Sequence, residues 1–145
     1  RLGLGRAVLP SLGVLRAGVS SMVPGVLANG LDPAHRSFEV SVIRLDDYIK
    51  EHQIKNIKLI KIDTELYELE VLKGLSGYFD TGERPIIVCE VQDEKTYKEV
   101  LGQDIQELID YMRKYDYEAY SVYLPSRKID LNKPIKRGNI IFKMQ

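Results

Sequence analysis

The chain has one cysteine, two histidines and no net charge, with 21 basic and 21 acidic side chains among its 145 residues. A lone cysteine excludes an intramolecular disulfide and fits a reducing compartment. The balanced charge argues against a dedicated nucleic-acid binder, whose surface carries a basic excess. No uncharged apolar run approaches the roughly 18 residues that a membrane-crossing helix needs. His35 and His52 stand apart without metal-ligand spacing, so no zinc site is expected. A chain of this length buries roughly 70% of its unfolded surface without disulfides or metals. These exclusions leave a soluble, cytoplasmic, single-domain protein with no nucleic-acid and no membrane partner.

Lysine is absent from residues 1–37, which hold Arg1, Arg6, Arg16 and Arg36 and a single acid, Asp32. All twelve lysines and the other twenty acids fall in residues 38–145. The composition therefore divides the chain into an irregular or poorly ordered leader, 1–37, and a domain, 38–145. An organellar transit peptide shares the leader's arginine-rich, acid-poor character, whereas Pro10 and Arg16 interrupt any secretory apolar stretch. A foreign leader and a native segment packed irregularly on the domain are the other readings.

The domain reads as strands alternating with helices. Residues 38–44 alternate apolar and polar side chains and predict a strand. Leu45–Ile49 opens a short helix, with Asp46 or Asp47 as its N-cap. Residues 57–63 form a β-rich run ending in Asp63, and Leu66, Leu69, Leu72, Leu75 and Phe79 follow at helical spacing. Residues 86–91 are nearly continuously apolar, as in a strand covered on both faces of a parallel sheet. Ile105, Leu108, Ile109 and Met112 make one stripe on a helix of about 12 residues. Residues 117–124 and 138–144 predict a final hairpin-like pair. The order β-α-β-α-β-β defines an α/β fold, mostly parallel with one antiparallel strand at the end.

Residues 61–74, KIDTELYELEVLKG, resemble the signature of the FkbM methyltransferases, K-I-D-v-E-G-x-E-x-x-v-L-x-G. Val42–Ile49 (VIRLDDYI), Pro85–Glu90 (PIIVCE) and Gly138–Phe142 (GNIIF) are similar to flanking segments of that family in the same order. The likeness covers roughly residues 38–145. It departs at Leu66, where the family has a glycine that frees the backbone to turn or approach a ligand. As an ordinary helical residue, Leu66 would lose about 1 kcal/mol on replacement by glycine.

The resemblance implies an S-adenosylmethionine-dependent methyltransferase acting on a hydroxyl of a small molecule or glycan. Its fold would be the Rossmann-like class I sheet with an antiparallel last strand, here only the C-terminal half. The missing half would carry the glycine-rich turn and the acid that hold the cofactor. Gly3–Val8 imitates such a turn weakly, with no strand before it and Val8 in place of the third glycine. The truncated chain is thus expected to be inactive alone, binding S-adenosylmethionine no tighter than millimolar. Its unpaired strand edge favours self-association.

Ligands of open α/β sheets sit at the carboxyl ends of parallel strands. Asp63 and Glu90 would stand there side by side, with Glu65 one turn away. Asp63 and Glu65 are the candidate catalytic residues, able to take a hydroxyl proton. Asp63 and Glu90 are the candidate cofactor-binding residues. Asp63 could equally cap the following helix, and Glu90 could start a loop without touching a ligand. Glu68 and Glu70 are assigned to solvated or packing faces of that helix. Two other functions remain open. Asp63-Thr64-Glu65 could bind Mg²⁺ for phosphate chemistry, or the chain could be a non-catalytic α/β module. Cys89, inside an apolar strand, reads as a buried structural thiol, and the tyrosines at 111–123 read as packing residues with wet hydroxyls.

Overall fold

The computed structural model describes the backbone of residues 5–11 and 36–41 and all atoms of residues 42–145. Strands β1 (Gly5–Ser11) and β2 (Arg36–Val42) form an antiparallel two-stranded sheet, registered from Gly5 opposite Val42 to Ser11 opposite Arg36. Of the compositional leader, these strands contain residues 5–11, 36 and 37; the rest of the leader reading falls outside the described residues.

Helix α1 (Leu45–Glu51) follows β2, and its N-cap position is Arg44, which makes no side-chain cap. Asp46 and Asp47 lie in the first turn instead. The Asp46 carboxylate joins the helix start to a distant part of the chain, accepting from Arg44 Nη2 at 2.7 Å, from the Asp47 N–H at 2.9 Å and from the Gly77 N–H at 2.9 Å. A Cβ on Gly77 would lie 2.8 Å from Asp46 Oδ2, so a larger residue there would have to push this carboxylate aside. Burial works against the Asp46 charge, but the bonds from Arg44, Gly77 and the Asp47 N–H outweigh it and hold its pKa below the usual carboxylate range. A depressed folded pKa contributes stability above the unfolded value of about 3.9, and that contribution is lost as pH falls through the folded value. Asp46→Asn is therefore expected to lower stability at pH 7 and to match the unmutated chain in strong acid. Urea midpoints measured from pH 7 to pH 2 test this; a gap independent of pH refutes it.

The main sheet holds β3 (Leu59–Ile62), β4 (Ile86–Val91), β5 (Glu118–Ser121) and β6 (Gly138–Lys143). Its order is β3-β4-β6-β5. β3 and β4 are parallel, with Ile62 beside Cys89, and β6 runs antiparallel to both β4 and β5. The connection from β3 to β4 carries α2 (Glu68–Lys73) and α3 (Ser76–Asp80). The connection from β4 to β5 carries α4 (Glu94–Thr96), a π-helical turn at Tyr97–Leu101, and α5 (Ile105–Arg113).

One face of the sheet makes the core. Ile62, Ile87, Cys89, Ile140 and Phe142 pack against Leu69, Leu72, Phe79, Leu108 and Met112 from the helices, all buried. Helix α5 shows why its stripe folds here. Ile105, Leu108, Ile109 and Met112 are each at most 2% exposed, worth about 1.5–3 kcal/mol apiece. Asp104 closes its N-terminus, accepting from the Gln106 N–H at 2.9 Å, while Glu107 bonds back to the Asp104 N–H. Tyr117 is buried, but its hydroxyl is not wet: it donates to the Pro85 carbonyl at 2.7 Å. On the opposite face Leu59 is 55% exposed and Ile86 is 40% exposed. No helix among the described residues is long and apolar enough to cross a membrane.

Candidate active site

Parallel pairing of β3 and β4 brings their carboxyl ends together. Asp63 follows the last residue of β3, and Glu90 is the last but one of β4. Lys61 stands between them, its Nζ 3.5 Å from Asp63 Oδ2 and 3.9 Å from Glu90 Oε2. Arg137, just before β6, approaches Glu90 Oε1 at 3.5 Å. The Asp63 side chain is 49% exposed and that of Glu90 28%. Ion pairs this long and this wet are worth about 0–1 kcal/mol, so a ligand can replace Lys61 at either acid at little cost.

Register explains why these groups share a face. Lys61 pairs with Val88, and Glu90 pairs with Asn139 on β6. Side chains of directly paired residues project to the same side, and those two positions apart along a strand do so as well. Lys61, Glu90 and Asn139 therefore project from the face opposite the core. Asn139 Oδ1 is buried and accepts no hydrogen bond, an unsatisfied acceptor next to Glu90.

The loop after β3 does not continue as the expected helix. Glu65 and Leu66 take left-handed conformations, with φ of 48° and 76°, and α2 begins only at Glu68. Leu66 thus keeps the backbone geometry that a glycine would give, while its side chain is buried at 4% exposure. The helical-residue argument for a Leu66→Gly loss accordingly does not apply. The turn aims Glu65 toward the end of β4, where Gln92 Nε2 donates to its Oε2 at 2.9 Å. Asp63 does not cap α2. The N-cap position is Tyr67, which has no side-chain cap bond.

Glu70 pairs with Lys73 on the surface at 2.6 Å. Glu68, by contrast, is buried at 1% exposure. Its Oε1 accepts from the Thr64 N–H at 3.1 Å and the Thr64 hydroxyl at 3.2 Å, and its Oε2 accepts from the Tyr97 hydroxyl at 2.9 Å. Burial, then the adjacent Glu68 charge, push the Tyr97 hydroxyl well above its ordinary pKa, so it stays a donor. Burial raises the Cys89 thiol likewise. A protonated, fully buried thiol is no nucleophile.

Among the described residues, no group of three or more His, Cys, Asp or Glu side chains is placed to hold a metal ion. A cleft of about 790 Å³ lies toward the opposite end of β3, where Ile49, Ile54, Asn56 and Tyr78 contribute to its lining, and none of the strand-end acids reaches it.

Open α/β sheets bind their ligands beyond the carboxyl ends of parallel strands, the end at which Asp63 and Glu90 stand. The family model of the methyltransferase FkbM domain matches residues 10–119, and the chain belongs to that methyltransferase family. Neither a curated protein nor a solved structure matches it.

Proposed function

We propose that the chain carries the acid-bearing part of an S-adenosylmethionine-dependent methyltransferase that alkylates a hydroxyl of a small molecule or glycan. The sheet favours this reading: β3, β4 and β5 run one way and β6 is inserted antiparallel, as in the C-terminal half of a Rossmann-like class I methyltransferase. The carrying observation is the set of acceptors at one end of that sheet, Asp63, Glu65, Glu90 and the unsatisfied Asn139 Oδ1. A cluster of acceptors whose only nearby cations, Lys61 and Arg137, are loosely paired fits a cofactor whose polar groups include an ammonium, ribose hydroxyls and a cationic sulfur. When bound, that cofactor supplies an electrophilic methyl group.

Asp63 takes the hydroxyl proton as the acceptor oxygen is alkylated. Glu65, held by Gln92, orients the acceptor hydroxyls. Glu90, together with Asp63, holds the cationic end of the cofactor in place of Lys61. Among the described residues no glycine-rich turn follows β3 or β4, so the nucleoside is held by residues outside that set. Transfer of labelled methyl from S-adenosylmethionine to a polyhydroxylated acceptor, by an enzyme that joins this chain to a cofactor-binding half, tests the reading. Label that stays in the donor across a panel of sugars and alcohols rejects it. For the 145-residue chain alone, calorimetric titration is expected to give millimolar or weaker binding of the cofactor and its demethylated product. Micromolar binding would mean that this chain builds the nucleoside site itself.

We also propose self-association through β3. Its only partner among the described strands is β4, which leaves one edge open. Light scattering should show a mass that rises with concentration, and a constant monomer mass contradicts it.

A further inference from the structure

We propose that Glu68 is a positioning residue for this site, a buried clasp that sets the Asp63–Leu66 turn through Thr64 and Tyr97. The proposal rests on the methyltransferase reading for its kinetic effect, but the clasp itself can be tested without it.

The turn needs a clasp. Glu65 and Leu66 are consecutive left-handed residues with side chains, a conformation costing about 1–2 kcal/mol each. Such geometry persists only where its surroundings over-determine it. Glu68 bridges the turn, bonding back to the Thr64 N–H and hydroxyl on the strand side. Its other oxygen is held by Tyr97, 29 residues onward. Tyr97 opens the π-helical turn after β4, and such wide turns recur at functional sites. The carboxylate therefore ties together the loops that follow β3 and β4. Those loops carry Glu65 and its partner Gln92.

A merely structural role would favour another residue. The three donors that hold Glu68 are a backbone amide and two hydroxyls, none of them charged. Burying a carboxylate among neutral donors costs more than filling the same space with an apolar side chain. Hydrogen-bonding groups are what the side chain adds, since an apolar residue can hold neither Thr64 on one side nor the Tyr97 hydroxyl on the other.

The test compares Glu68→Gln, Glu68→Leu and Tyr97→Phe in the active enzyme, by steady-state methyl transfer and by amide hydrogen exchange. The Gln variant keeps a carbonyl for Thr64 and presents its NH₂ to the Tyr97 oxygen, so it should rescue. Leucine fills the space without accepting. The expected result is a kcat within about tenfold of the unmutated enzyme for Gln and about 100-fold lower for Leu, with KM little changed, as for misplaced catalytic groups. Thr64 through Tyr67 should exchange faster in the Leu variant while the strands β4 and β6 do not. Equal activity of the Gln and Leu variants overturns the proposal, as does unaltered exchange at Thr64. Should the Leu variant fail to fold, Tyr97→Phe, which removes one oxygen, decides the matter. Faster Thr64 exchange with a lowered kcat supports the clasp, and no change in either refutes it. If the unmutated enzyme transfers no methyl group, the methyltransferase reading fails, and the exchange comparison still tells whether Glu68 holds the turn.

Discussion

In an enzyme that joins this chain to a cofactor-binding half, Asp63→Asn should cut methyl transfer by at least about 10²-fold, the loss expected on removing a general base, and leave the fold nearly untouched. The two halves of that expectation come from different observations. Asp63 stands at the ligand end of β3, half-exposed, with Lys61 Nζ 3.5 Å away. A carboxamide there neither accepts the acceptor's proton nor attracts a cation. Structurally, Asp63 caps no helix, and its exposed ion pair is worth about 0–1 kcal/mol. The melting temperature should therefore move by no more than a few degrees. Parallel measurement of kcat and thermal unfolding separates the roles. Unmutated turnover in the variant would assign the proton to another group, with Glu65 next in line.

The second large effect concerns Leu66, and its signature is an inversion. In a helix interior alanine is more stable than glycine by about 1 kcal/mol. At position 66 φ is 76°, and the ranking should reverse. Leu66→Ala removes a buried side chain, at a cost of about 2–5 kcal/mol, and keeps the left-handed strain. Leu66→Gly removes the same side chain but relieves roughly 1 kcal/mol of that strain. Both variants should be less stable than the unmutated chain, with glycine above alanine. Chemical denaturation of the three proteins measures the order directly. Alanine above glycine would mean that position 66 is right-handed in solution.

These two positions also show where a sequence can be read and where it cannot. Helix α5 was legible because its stripe of Ile105, Leu108, Ile109 and Met112 is local, within one segment. The places of Asp63 and Glu90 near the carboxyl ends of β3 and β4 were legible for a similar reason, since each acid lies within or directly after its own β-rich run. The turn at Glu65–Leu66 was not. Leucine at 66 continues a helical period perfectly well, and nothing in the side chain reports a positive φ. The resemblance held the only clue, in the glycine that the family carries there. Glu68 was hidden for another reason. Its burial depends on Tyr97, 29 residues away, and periodicity reports only neighbours within a turn or two. Asp46 likewise holds Gly77, 31 residues away, as well as its own helix start, a partnership that no local capping rule contains. The strand order, too, is set by non-local pairing, which no pattern of apolar residues encodes.

That order has a consequence for how the chain is made. β6 lies between β4 and β5, although it follows both in sequence. On the ribosome, β3 and β4 can pair as soon as residue 91 has emerged, but β5 has no neighbour in the sheet until Gly138–Lys143 are out. At roughly 5–20 residues per second, synthesis leaves the open edge of β4 waiting several seconds for its antiparallel partner. During that interval Ile87 and Cys89 offer their backbone groups to any extended strand nearby, and α5 has only part of its floor. The nascent chain is thus most exposed to mispairing just before its sheet can close. A brief pause by the translating ribosome between residues 121 and 138 would lengthen that exposure, while the same pause before residue 86 would not.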